Sequence, residues 1–362
     1  MADMRIHAVD VLISRAVRAV ILIMLIALPA LAADWNPKLA AQYLDSRQKE
    51  WFEWPTAKRA GGPCISCHTG LTYLLARPAL RRVLGEPEPT VYETGLVDGL
   101  ISRVGLNVED ARKGAKEPVA SQAVGVEAVF AALLVGPKQP AAKQAWNRMW
   151  SMQLQEGPAK GSWPWFDFNT DPYETSDSAF FGASLAAMAI GATPPEYQAK
   201  PEIKEHVAEL IAYLRTATPA QPLHNRLLLL WAAAKLPAAV QGARQSIIDE
   251  TMRKQQADGS WTLAALGTWK DHPEAPPASG ASAYATAVAA FALEQAGVPR
   301  SDPRLRKALK WLAAKQDPQS GYWAADSMNK RREPGSMPEG FMRDAATGFA
   351  VLALTGPAPA GR

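Results

Sequence analysis

Cysteine is nearly absent from this chain: its 362 residues hold two, Cys64 and Cys67. That excludes the disulfide framework on which small secreted folds depend. A zinc site would need two more ligands close by, and a thioredoxin-type redox pair would need a βαβ setting; the sequence supplies neither. Convincing strand alternation is missing along the whole chain, which argues against a β-rich core. Charge of one sign is scarce too. The net charge is +4, whereas nucleic-acid binding normally draws a clustered basic stripe. The short run Lys330-Arg331-Arg332 abuts Glu333-Pro334-Gly335 and reads as a solvated loop.

The apolar run at 19–31 falls short of the roughly 20 residues of a membrane span. It follows Arg5, Arg15 and Arg18 and ends in the small-x-small triplet Ala30-Leu31-Ala32. These are the marks of a secretory leader, residues 1–32, cleaved near Ala32. An uncleaved anchor is the alternative. Cleavage removes three arginines together with Asp3 and Asp10, so a net charge of +4 becomes +3.

What the chain does have is Cys64-Ile65-Ser66-Cys67-His68. C-x-x-C-H is the attachment signature of c-type haem. The thiols add to the porphyrin vinyl groups and the adjoining histidine, here His68, reaches the iron as proximal ligand. This haem is attached on the outer side of the bacterial cytoplasmic membrane, so motif and leader agree on a periplasmic protein. The motif occurs once, which predicts a single covalent haem c and excludes a multihaem wire.

Helical periodicity runs through twelve stretches, at 37–54, 66–84, 91–104, 121–134, 141–155, 173–190, 202–216, 221–235, 239–256, 281–296, 302–315 and 342–354. One set mixes charged and apolar residues, as around Arg304–Trp311, where Asp302 is a candidate N-cap and Pro303 the first helical residue. The other set is almost wholly small or apolar, as at 281–296. Helices apolar all round are buried and amphipathic ones lie outside. Twelve helices alternating outer and inner make six hairpins. Closed in a ring they give an all-α fold, an α6/α6 toroid, as one domain over 33–362, with the haem motif at the start of an inner helix.

A spaced signature marks the corners. Gln316 leads to Gly321-Tyr322-Trp323, Gln255 to Gly259-Ser260-Trp261, and Trp150 and Gln155 to Gly161-Ser162-Trp163. These resemble the QW repeats of the squalene-hopene cyclase superfamily, a resemblance carried by motifs over 141–354 and by helix count before that. It implies a terpenoid-cyclase or prenyltransferase-like toroid in which each Gln caps a helix end and stacks on the Trp. It does not imply cyclase activity, because the D-x-D-D segment that protonates the alkene is missing; Glu174-Thr175-Ser176-Asp177 is the nearest approach. A zinc prenyltransferase is excluded while both cysteines belong to the haem motif. The fold is expected to carry another function.

Inner helices that share a direction bring their N-terminal ends to one mouth of the central cavity. Gathered there would be His68, Gln122, Glu127, Tyr173, Glu174, Asp177, His224, Asn225, Arg226, Ser282, Tyr284, Phe341, Met342, Arg343 and Asp344. Asp177 and Ser282, taken singly, read first as helix caps. Met342 is the first candidate for the second axial iron ligand and His224 the alternative; Met342 reads as well as core. Arg226 and Arg343 would pair with haem propionates or with Glu174 and Asp344. Glu174, Asp177 and Arg343 are the candidate catalytic groups. Three function classes stay open: a haem-dependent oxidoreductase acting on an isoprenoid or lipid-like substrate, an electron carrier with six-coordinate iron, and a haem-based sensor of small ligands. The partners expected are a redox protein or quinone-like donor, with association at a membrane surface and no nucleic acid.

Overall fold

Asparagine and proline open the first helix. Asn36 Oδ1 accepts from the backbone N–H groups of Lys38 and Leu39 at 3.0 and 3.1 Å, and Pro37 takes an early position where no N–H is required. The computed structural model describes residues 35–357 apart from Ala60, Gly114, Asp271 and 276–278, so the leader lies outside the described residues. Twelve long helices follow one another there: α1 Pro37–Glu53, α2 Gly70–Leu84, α3 Val91–Gly105, α4 Val119–Leu134, α5 Ala142–Ser151, α6 Ser178–Gly191, α7 Pro201–Ala217, α8 Leu223–Ala233, α9 Arg244–Arg253, α10 Ala283–Gln295, α11 Pro303–Ala314 and α12 Phe341–Thr355. Their ends follow local chemistry. Gly85, at φ +68°, closes α2 while the N–H groups of Gly85 and Glu86 return to Arg82 and Arg81. Thr90 and Glu93 form a reciprocal capping box on α3.

The odd-numbered helices bury one stripe each, such as Ile203, Leu210 and Leu214 on α7. The even-numbered ones are enclosed; α10 is buried from Ala283 to Glu294. Neighbouring inner helices pack in the order α4, α6, α8, α10, α12 and α2. Only α2 and α4 scarcely touch, and the segment Gly62–Pro63 packs on α3 beside that seam. The two short antiparallel ladders, Lys58–Arg59 with Gly62–Pro63 and Trp261–Thr262 with Ala281–Ser282, are clasps at corners.

The Gln-to-Trp corners knit each hairpin to the next. Trp163, Trp261 and Trp323 are fully buried, and each indole N–H donates to the end of the preceding outer helix, at Met149 O, Thr251 O and Leu312 O (2.6–2.8 Å). Gln255 Nε2 bridges Gly259 O and Arg304 O on α11. Gln316 Nε2 bridges Gly321 O and Asn36 O, joining the last hairpin to the first. At the earliest corner the bridging residue is Gln153, which donates to Gly161 O and His206 O, and not Gln155, which turns back to Gln153 O. The bridge is a hydrogen bond to the next outer helix. Gly321 must be glycine: its φ is +80°, and a Cβ would collide with the Leu39 backbone.

Inside the ring, Trp231, Phe291 and Phe349 meet from α8, α10 and α12, with centroids 5.0–6.4 Å apart, and Phe349 touches Tyr284 at 6.1 Å. Aromatic side chains thus meet across the ring interior. Among the described residues no helix is long and apolar enough to cross a membrane.

Candidate functional site

The cysteine motif is held by its neighbours on every side. Cys64 N–H donates to Ala57 O at 2.8 Å, and Cys64 O accepts the Trp51 indole N–H at 2.7 Å. Ser66 Oγ accepts from the N–H groups of Thr69 and Gly70, so the motif is a capping turn and α2 begins at Gly70 rather than at Ser66. Thr72 Oγ1 donates to His68 O. Behind the turn stands Asp344, fully buried, accepting from Tyr43 Oη (2.6 Å), Arg47 Nε (2.9 Å) and Thr69 Oγ1 (2.7 Å). A buried carboxylate so fully paired ties α1, α2 and α12 together at the motif.

His68 turns into the ring mouth. Its imidazole lies parallel to Phe341 at 4.9 Å and edge-on to Tyr173 at 5.5 Å, and its Nδ1 is buried without a hydrogen-bond partner. Burial lowers its pKa against the pull of Glu174 and Asp344, which keeps the ring neutral and its lone pair available. Cys67 is buried and Cys64 half-buried; they are not joined to each other. Burial raises both thiol pKa values, most at Cys67, so neither is an activated thiolate. Among the described residues no three His, Cys, Asp or Glu side chains converge as a metal cage.

No protein-family model matches this chain, and no curated protein matches it. Solved structures do. A polysaccharide lyase, BACCELL_00875, is similar over 87% of this chain and 96% of its own, at 16% identity and a TM-score of 0.51. The type II terpene cyclase MstE from Scytonema is similar over 88% of this chain and 98% of its own, at 13% identity and a TM-score of 0.45. The fold is an all-α toroid. Likeness at these identities extends to the fold alone, so chemistry has to come from the residues.

At the toroid's mouth the N-terminal ends of α6, α8, α10 and α12 converge with the motif. Tyr173 Oη lies 2.6 Å from Tyr284 Oη, which lies 2.7 Å from His224 Nε2; His224 Nδ1 is 3.0 Å from Asn225 Oδ1. Asn225 spends its amide N–H on Gln221 Oε1, so its oxygen accepts from His224 Nδ1–H. His224 Nε2 then accepts from Tyr284, and Tyr284 from Tyr173, giving a wire of one polarity. With both nitrogens engaged, His224 lacks the free lone pair an iron ligand needs.

The other expected site residues separate. Glu174 accepts from Thr170 Oγ1 at 3.0 Å and raises the pKa of Cys67 and His68 electrostatically. Met342 is buried beside Phe341, on the α12 face that Phe349 shares seven residues on. Arg226, expected toward the cofactor, is held instead by Glu250 of α9 through bonds of 2.7 and 3.1 Å. Arg343 pairs with Glu339 at 2.5 Å, not with Asp344 or Glu174, and lies over the Tyr322 ring. Asp177 is exposed at the start of α6 without a capping bond. Glu127 pairs with Arg103 at 2.8 Å, and burial raises its pKa against that guanidinium.

Two groups escaped sequence reasoning. Arg332, from the run read as a solvated loop, is near enough to His68 to lower its pKa, and its Nε is buried without a hydrogen-bond partner. Asp171 latches three loops: its backbone pairs with Asn329 at 2.7 and 2.8 Å, and its Oδ2 accepts from Lys270 N at 3.2 Å. Neither carries a sequence signal, because each acts through partners about a hundred residues or more away.

Burial pushes the His224 pKa down from 6.5 to about 4. The folded state therefore favours neutral His224; that stability is complete above pH 6.5 and is lost as the pH falls toward 4. Relative to His224→Gln, the parent should lose about 3 kcal/mol over that window, as read from urea unfolding at successive pH values.

Proposed function

We propose that the chain is an exported monohaem c-type redox protein in which Cys64 and Cys67 would hold the haem through thioethers and His68 would ligate its iron. The observation that carries this reading is the C-x-x-C-H motif with its histidine turned inward, neutral, with a buried nitrogen free of any hydrogen bond. The residues suit the group. The thiols are unpaired, and Cys64 follows Pro63 at the seam where α2 and α4 part. The unsatisfied Arg332 Nε offers a propionate partner in place of Arg226. Bound there, a haem supplies one-electron redox chemistry or a site for a small ligand.

The chain's own residues set the surroundings. Phe341 and Tyr173 fix the plane of the imidazole, and Glu174 adds negative charge beside it. The wire from Tyr173 to His224 offers a directed path for a proton. Export follows from the leader pattern at 1–32. The reading favours a redox enzyme over a pure carrier because buried polar groups converge at the mouth, where a scaffold would need only apolar packing.

Of the two side chains considered for the second axial position, only Met342 keeps an uncommitted donor atom. Met342→Ala should lower the reduction potential and let the ferrous protein bind carbon monoxide, since a thioether ligand raises the potential. Spectra recorded with and without carbon monoxide check this. A parent protein that already binds carbon monoxide fully would remove Met342 as ligand and favour the open-site enzyme or sensor over the carrier.

A further inference from the structure

We propose that a recess at the toroid mouth is a binding site for a small, neutral, planar aromatic ligand of the quinone class. The recess has a volume of about 300 Å³ and is lined by Leu263, Trp269, His272, Ser282, Ala325 and Met328, among others. That is the small end of ligand pockets and suits one or two fused rings. Its walls are preformed. The Asp171–Asn329 pairing, the Lys270 N–H on Asp171 Oδ2 and the Arg331 N–H on Glu274 O at 2.7 Å latch its loops together.

The lining dictates the ligand. Trp269 spends its indole N–H on Leu263 O at 2.8 Å, so it offers the recess π surface for stacking. Among the described residues His272 Nε2 is buried without a hydrogen-bond partner, and Asp171 Oδ2 is 3.7 Å away, beyond hydrogen-bond reach. A ring oxygen would satisfy that imidazole. The rim carries one exposed cation and one exposed acid, Lys270 and Asp326, so neither sign of ligand charge is favoured. Behind Trp269 the rings run on without a break: His224 at 5.6 Å, Tyr173 a further 5.9 Å, then His68 at 5.5 Å. The choice of a redox-active ring rests on the haem reading; the binding of a planar ring does not.

The test is calorimetric titration of menadione into the full matured chain and into the haem-free Cys64→Ala/Cys67→Ala chain. Saturable one-to-one binding is expected in both. Ala325→Phe, which puts a ring into the recess from its lining, should abolish it, and His272→Ala should weaken it at least tenfold, with thermal melting checked for each variant. Binding in the haem-free chain when the parent proves to carry no haem would support the recess and sink the haem reading alone. No saturable binding in either chain, binding unchanged in both recess variants, or equal affinity for a neutral disaccharide would overturn the proposal.

Discussion

Trp323→Ala should unfold at a free energy about 3–5 kcal/mol below the parent, the range for truncating a buried tryptophan. Its indole is fully buried, donates to Leu312 O at 2.7 Å and packs on Trp35 at 5.9 Å. Its backbone N–H is held by Thr347 Oγ1 of α12 at 3.1 Å. The side chain thus joins α11 to the entry of α1, and the backbone ties the same residue to α12, where the sixth hairpin meets the first. Removing the indole leaves a void at ring closure, with Leu312 O keeping only the Lys315 N–H. Trp163→Ala and Trp261→Ala remove the same device at other corners and should fall in the same range. Gln316→Ala deletes the hydrogen bonds to Asn36 and Gly321 without removing an aromatic ring and should lose about 1–2 kcal/mol. Urea unfolding followed by far-UV circular dichroism checks the series. Equal, small losses in all four variants would mean that the corners do not hold the ring.

Cys64→Ala/Cys67→Ala should leave a folded, fully helical protein without covalent haem when made in cells competent for c-type maturation. The thiols form no disulfide, and the surroundings of the turn are held by Ser66, Thr69, Trp51 and Asp344, none of which the substitution touches. The loss should therefore be of colour and not of fold. Asp344→Ala should do the reverse. It removes the buried acceptor shared by Tyr43, Arg47 Nε and Thr69, leaving Arg47 with Glu50 and the Met337 carbonyl, so the fold should weaken by about 3–5 kcal/mol even though the cysteines remain. Visible absorption and circular dichroism on both proteins separate the two effects. A double-cysteine variant that still carries haem after denaturation would contradict the assignment.

The ring was legible in the sequence because alternation of helix character is a property of whole segments. An all-apolar stretch such as 283–295 has nowhere to go but inside, and a mixed one such as 303–314 has only one stripe to bury. The errors fall where single side chains decide. The first corner loop is longer than the other two, and Gln153 and Gln155 both lie within reach of it; the hydrogen bond from Gln153 to His206 O is what shows that Gln153 meets the next helix. The expected helix starts at Ser66 and Tyr173 are in fact turns, at the motif and before α6. At the site, composition could gather residues at one mouth but could not say which partners each one takes. Arg226 and Arg343 are absorbed by Glu250 and Glu339, both acids of ordinary appearance in the sequence. Asp171 is placed by a few long-range polar contacts, which leave no periodic trace.

The most direct test of the central claim is the intact mass of the parent chain from a periplasm competent in c-type maturation, measured after denaturation. The account predicts a mature chain lacking the leader and heavier by one haem, with that increment located on the peptide holding Cys64 and Cys67. An unmodified mass from the same cells would contradict it.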